Sequence, residues 1–184
     1  MDILAAFGLS ASAGLNAYIP LLVVSLLARF TNLIALSEPW QALESWWTIG
    51  ILIGLSIVEF FADKVPAVNH INDAIQTFIR PAAGAILFAA SANVITEIHP
   101  IISITAGLLI AGTVHVVKAA AVRPALTATT GGVGNVPVSI LEDLVSTVLS
   151  ILAVVLPVVV GMVLLLLAIW IIWWLTRQAL NSQE

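Results

Sequence analysis

Apolar positions run in long stretches along this chain, separated by short clusters in which Gly, Pro, Asn and Ser recur. The first stretch, residues 3–30, is interrupted by Gly8, Ser10, Ser12, Gly14, Asn16 and Pro20. Small residues of this kind let helices approach closely in lipid. A polar connection with Glu38, Pro39 and Glu44 follows. Trp46 and Trp47 then open a second segment as an interfacial belt. That segment ends at Asp63, Lys64 and Pro66.

Residues 67–80 differ from their neighbours. Ile71, Ile75, Phe78 and Ile79 recur at helical spacing between Asn69, His70, Asn72, Asp73, Gln76 and Arg80. The stretch is amphipathic and too short to span, which predicts an interfacial or re-entrant helix. A third span is predicted from Pro81 to Ile95, and a fourth from Ile101 to Val122. Residues 127–137, TATTGGVGNVP, read as a glycine-rich loop, with a helix starting near Val138. Apolar sequence then continues to Leu175. As one helix that stretch would measure about 55 Å, against a hydrocarbon core of about 30 Å. Two spans meeting at Pro157, or a re-entrant piece plus one span, are the alternatives.

The pattern predicts an all-α polytopic transmembrane bundle of about six hydrophobic segments, some broken or re-entrant. Residues 1–184 form a single integral membrane domain. Composition agrees: 61% of residues are hydrophobic, 9% are charged, and mean hydropathy is +1.14. Soluble domains carry roughly 25% charged residues, so soluble and disordered classes are excluded. A net charge of −4 supplies no basic field for nucleic acid. No cysteine is present, which excludes disulfides and thiolate metal sites. No basic region precedes the first apolar run, so that run is read as retained. Lys64, Arg80, Lys118, Arg123 and Arg177 fall on one face of a six-span arrangement, and Arg29 dissents. The positive-inside rule then puts both termini in the cytoplasm.

Charge is where the chemistry concentrates. Nine of the sixteen charged residues fall in windows 59–80 and 115–143, about a quarter of the chain. A charge within a span costs roughly 2.5–3.5 kcal/mol on the insertion scale, so clustering points to a site. Glu59 and Asp63 lie one helical turn apart and face the same way. Asn69, Asn72 and Asp73 add oxygens beyond Pro66. Sulfur-free oxygen clusters suit protons and hard cations; Glu59, Asp63, Glu142 and Asp143 are the candidate metal ligands. The competing reading is self-neutralisation, with Lys64 and Arg80 pairing Asp63 and Asp73. In the second window His115 and Lys118 share a helix face, and Arg123 follows. The glycines around Gly132 feed a helix start that suits an anion, or they form an ordinary loop capped by Ser139 or Asn135. AGLNAYIP, ending at Pro20, echoes GVGNVP, ending at Pro137. The echo suggests an inverted repeat of residues 1–95 and 100–184, with Asn16 facing Asn135.

These motifs, taken jointly, resemble a family. The first part is Glu59, Asp63-Lys64-Val65-Pro66, Asp73 and Arg80-Pro81. The second is His115, Lys118-Ala119, Arg123, Thr130-Gly131-Gly132, Gly134-Asn135, Pro137, Ser139 and Glu142-Asp143. The family is a group of small bacterial integral membrane proteins known as domain of unknown function four-one-two-six. The resemblance spans nearly the whole chain and implies a bacterial inner-membrane protein with no established activity. The E-x-x-x-D-K run at Glu59 is also similar to the E-x-G-D-K signature of cation/proton exchangers for manganese and calcium. Here the acids stand one residue further apart, the glycine is missing, and no Lys follows Glu142-Asp143. No role is carried over from that likeness.

The residues favour a small transporter or channel for a cation, or one coupled to protons. Glu59, Asp63, Asp73, Glu142 and Asp143 would carry the ion or proton, and Asn16 and Asn135 would add neutral oxygens at broken helices. Lys64, Lys118 and Arg123 would balance charge. The alternatives are an anion or phosphate-headgroup binder built on the glycine loop with Lys118, Arg123 and Arg80, and a non-transporting scaffold subunit. No Ser-His-Asp order or HExxH motif supports an enzyme, and no cofactor is expected. The expected partners are the lipid bilayer, a small ion or solute, and a second copy through small-residue faces.

Overall fold

The computed structural model describes residues 3–64, 66–92 and 99–181; the side chains of 66–70, 92 and 179–181 fall outside this set. The described residues are mostly helical, with no strand among them. In order they form α1 (Ile3–Leu15), α2 (Tyr18–Phe30), α3 (Trp46–Ala62), α4 (Pro66–Ala92), α5 (Pro100–Val117), α6 (Arg123–Thr130), α7 (Asn135–Val155) and α8 (Pro157–Asn181). A 3₁₀ turn, Trp40–Glu44, precedes α3, and a π-helical turn, Lys118–Val122, joins α5 to α6.

Where the sequence predicts about six segments, four helical stretches among the described residues are long and apolar enough to cross a membrane. They are Ile71–Ser91, Pro100–Thr130, Asn135–Val155 and Pro157–Gln178. Three shorter apolar helices, Ile3–Leu15, Tyr18–Phe30 and Trp46–Ala62, accompany them. Large apolar side chains cover the outside, Trp46, Trp47, Trp170 and Trp173 among them. This is the architecture of a multi-pass membrane protein.

Two boundaries differ from the sequence reading. Residues 67–80 are not a separate re-entrant helix, because α4 runs unbroken through Pro81. Proline inside a helix forfeits one backbone hydrogen bond, a cost that neighbouring helices can make good in a membrane bundle; Gly112 on α5 leaves room beside this ring. The glycine-rich loop is shorter than 127–137: α6 reaches Thr130, only residues 131–134 turn, and α7 begins at Asn135. Gly131 and Gly132 adopt φ of 63° and 90°, a region glycine enters without the Cβ clash. At the far end Leu156 alone separates α7 from α8. The break thus falls at Pro157, between two helices each long enough to span.

α1 is the hub. It packs against α2, α4, α5, α7 and α8, and its small residues make that possible. A Cβ on Gly8 would lie 2.7 Å from Ala153 Cβ, and one on Gly14 would lie 2.5 Å from Val114 Cβ. Polar side chains close the same contacts. Ser12 Oγ lies 2.8 Å from Ser146 Oγ and 2.7 Å from Ser150 Oγ, and Ser10 Oγ donates to the Gly84 carbonyl at 3.0 Å. α4 and α5 meet at Gly84, Gly107 and Ala111, with backbone against backbone. Gly107→Val would force these helices apart, and overpacking of this kind costs about 1–3 kcal/mol. The expected result is a lower midpoint of thermal unfolding in detergent, followed by tryptophan fluorescence. Gly54→Val, at a glycine facing open space, should leave the midpoint unchanged.

Candidate functional site

The first helix interruption is dictated locally. Pro20 has no N–H to donate to the carbonyl of residue 16, and its ring would clash there in a continuous helix. The chain breaks at Asn16 and Ala17. Asn16 Oδ1 accepts the backbone N–H groups of Tyr18 and Ile19 at 3.1 and 3.0 Å, which is N-cap geometry for α2. On the other side of the break Lys118 Nζ donates to the Leu15 carbonyl at 3.0 Å. A cation thus meets the negative end of α1. Asn16 Nδ2 donates to Asp143 Oδ1 at 3.0 Å, placing a carboxylate near the positive end of α2.

The second interruption is the π turn that carries Lys118 at its start. Pro124, just past its end, is the local cause, because widening to i→i+5 bonding relieves the clash with the carbonyl four residues back. Lys118 and Arg123 therefore flank the widened turn, and both are buried.

Between these interruptions the charged residues close on one another. Asp63, 3% exposed just after α3, is the focus. Its Oδ2 lies 3.0 Å from Arg123 Nη2, and 3.9 Å from both Arg80 Nη2 and Lys118 Nζ. Ser139 Oγ donates to the same oxygen at 3.3 Å, and Asn72 Nδ2 donates to Oδ1 at 2.6 Å. Arg80, fully buried, also pairs with Glu59 at 2.9 Å. Arg123 reaches Asp73 at 3.3 Å and Glu142 at 3.7 Å. Lys118 pairs with Glu142 at 2.8 Å, and Lys64 with Asp143 at 3.3 Å. His115 is tied in through two hydrogen bonds. Arg80 can only donate, so His115 Nδ1 accepts from its Nη1 at 3.2 Å. The ring proton then sits on Nε2, which donates to Thr77 Oγ1 at 3.1 Å.

Among the described residues five carboxylates thus face four cations, and one negative charge is left over when all are ionised. Buried polar atoms without a hydrogen-bond partner include Glu59 Oε2, Arg80 Nε and Gln76 Oε1.

Eleven of the fourteen candidate residues are therefore brought into one cluster: Asn16, Glu59, Asp63, Lys64, Asp73, Arg80, His115, Lys118, Arg123, Glu142 and Asp143. Asn135 and Gly132 stand apart. Asn135 Nδ2 donates to Thr127 Oγ1 at 3.0 Å, so Asn16 bonds Asp143 and shares no hydrogen bond with Asn135. The Asn69 side chain lies outside the described residues. Neither Ser139 nor Asn135 caps α7; Ser139 serves Asp63 instead, while Glu142 and Asp143, two turns into α7, serve cations. Among the described residues no three His, Asp or Glu side chains assemble as a metal-binding set. The proposed metal ligands Glu59, Asp63, Glu142 and Asp143 each face Lys or Arg. Sequence reasoning missed Thr77, one turn from Asp73 on the same face. It also missed Tyr18, the chain's one tyrosine, placed just after the first break. The Leu15 carbonyl had no signal to give, because a backbone acceptor is the same in every residue.

These features define a polytopic membrane protein whose interior holds a closed ion-pair network at two helix interruptions. The chain belongs to the family described as Domain of unknown function (DUF4126), whose model matches residues 3–178. No curated protein and no solved structure matches it.

Breaking a buried pair by removing one partner costs about 3–5 kcal/mol, because the other charge is left uncompensated. Arg80→Met should therefore destabilise by about that amount in denaturant titrations in detergent. Arg80→Met with Glu59→Met should recover a large part of the loss. Equal destabilisation by the single and double variants would show that Arg80 is held by packing alone.

Proposed function

We propose that this protein is a small membrane transporter that moves a cation in exchange for, or together with, protons. The observation that carries the proposal is the buried Asp63 cluster, seated where α1 breaks and α5 widens. Ionisable residues within membrane spans are functional candidates by default, and interrupted helices with their dipole ends turned inward are a recurring way to build a transport site. The charge count adds to this. A network with one carboxylate more than its cations accepts one further positive charge, a proton or a cation. Glu59 Oε2, buried and without a hydrogen-bond partner, is the oxygen best placed to take a proton.

In this reading Lys118 and Arg123 release Asp63 and Glu142 when a substrate cation enters, and they return as it leaves. The two-halves organisation belongs to the proposal. Residues 1–95 supply the break at Asn16 with Glu59, Asp63 and Arg80, and residues 100–184 supply the π turn with Lys118, Arg123 and Glu142. Placement in a bacterial inner membrane with both termini cytoplasmic is part of it too. The anion reading draws less support, because Lys118, Arg123 and Arg80 pair with carboxylates rather than turning toward Gly132.

The test is flux in proteoliposomes loaded with a pH-sensitive dye, challenged in turn with gradients of sodium, potassium, calcium, manganese and a small amine. At least one cation should drive proton movement. Asp63→Asn combined with Glu142→Gln should reduce it at least tenfold, and Asp63→Glu should retain part of it. Absence of flux for every cation, or unchanged flux in the double variant, would overturn the proposal.

A further inference from the structure

Lys64 occupies an unusual position for a residue at a helix end. Its ammonium lies 3.3 Å from the Phe60 ring centroid, 3.3 Å from Asp143 Oδ2 and 2.9 Å from the Phe60 carbonyl. An aromatic face, a carboxylate and a carbonyl are together a complete receptor for an ammonium group. Two of these residues, Phe60 and Asp143, also line a pocket of about 280 Å³ with Asn16, Ile19, Ser56, Ile57 and Phe61. Its walls are apolar, and Ile57, Phe60 and Phe61 are exposed on the outside of the bundle. Its polar lining is Asp143 with Asn16, joined at 3.0 Å, and Ser56, whose buried hydroxyl has no hydrogen-bond partner.

We infer that this pocket binds an amphipathic organic cation, an amine with an apolar body, whose ammonium takes the place that Lys64 holds on Asp143 and Phe60. The inference rests on the cation-transport reading and gives it a substrate class. The chemistry is matched at both ends. The apolar body fits between Ile19, Ile57 and Phe61, and it can enter sideways from the bilayer without crossing water. The charged head needs a counter-ion at the inner end, and Asp143 supplies one that is already half satisfied by Asn16. Lys64 acts as a tethered competitor. It keeps Asp143 compensated when the pocket holds no amine, and it can swing to the surface when one arrives, because its side chain retains partial exposure.

The test is equilibrium binding of 4-phenylbutylamine, with 4-phenylbutanol as the uncharged isostere, to the full chain in phosphatidylcholine nanodiscs. Empty nanodiscs supply the partitioning background. The amine should bind saturably and at least tenfold more tightly than the alcohol. Lys64→Gln should tighten amine binding about tenfold by removing the competitor, whereas Asp143→Asn should weaken it at least tenfold. A gain of affinity in Lys64→Gln cannot come from misfolding, so that variant keeps the test decisive if Asp143→Asn fails to fold. Equal binding of amine and alcohol would mean that the pocket takes lipid tails, and would overturn the inference. So would unchanged or weakened amine binding in Lys64→Gln. The measurement needs no transport. Amine binding without any flux would leave the site standing and remove the transporter reading. Asp63-dependent ion flux without amine binding would do the reverse.

Discussion

Everything at the centre of this protein follows from burying Asp63. An isolated carboxylate taken out of water costs several kcal/mol even after relaxation, so it must be surrounded by donors and cations. The chain draws these from four places: Asn72 and Arg80 on α4, Lys118 in the π turn, Arg123 at the start of α6, and Ser139 on α7. Each of those cations is itself buried and needs more negative charge than Asp63 alone provides. Glu59, Asp73 and Glu142 answer that need. One buried carboxylate thus fixes the relative placement of α3, α4, α6 and α7 around α1.

The helix interruptions belong to the same constraint. A membrane interior offers no water to unpaired backbone groups, so a broken helix must find internal partners. At the first break the partners are Asn16 for the start of α2 and Lys118 for the end of α1. Lys118 therefore has two tasks, neutralising Glu142 and closing a helix end. If it moves to follow a substrate charge, the end of α1 loses its partner. That coupling ties any rearrangement of the ion pairs to the hub helix. It also explains why charge and interruption coincide in space although they lie a hundred residues apart in sequence.

Much of this was legible in the sequence, and the physical reason is scarcity. When only 9% of residues are charged, two dense windows have to meet, because lone charges in lipid are too costly. The membrane class, the helical content and most of the candidate residues follow from that. Partner choice was not legible. Nothing in the spacing says that Asp143 takes Lys64 and Asn16 while Glu142, its neighbour, takes Lys118; helix rotation and tertiary packing decide it. The continuity of α4 was hidden because Pro81 is a strong local breaker whose penalty is absorbed by the packing around it. The likeness between the Asn16 and Asn135 segments does not extend to their hydrogen bonds: Asn16 is buried against Asp143, whereas Asn135 bonds Thr127 on α6.

The network also sorts its members by how readily they can change. Arg80, fully buried with Glu59 and bonded to His115, is enclosed on every side. Movement there would unpair two charges in a low-dielectric interior. Lys64 and Asp143 sit at the edge, each with its side chain 14% exposed, where incomplete burial lowers the cost of a transient loss of pairing. If the proposed transport cycle parts any of these pairs, it does so where the unpaired state is cheapest. The gradient from the enclosed Arg80–Glu59 pair to the partly exposed Lys64–Asp143 pair therefore makes the latter the one that parts at the lower cost.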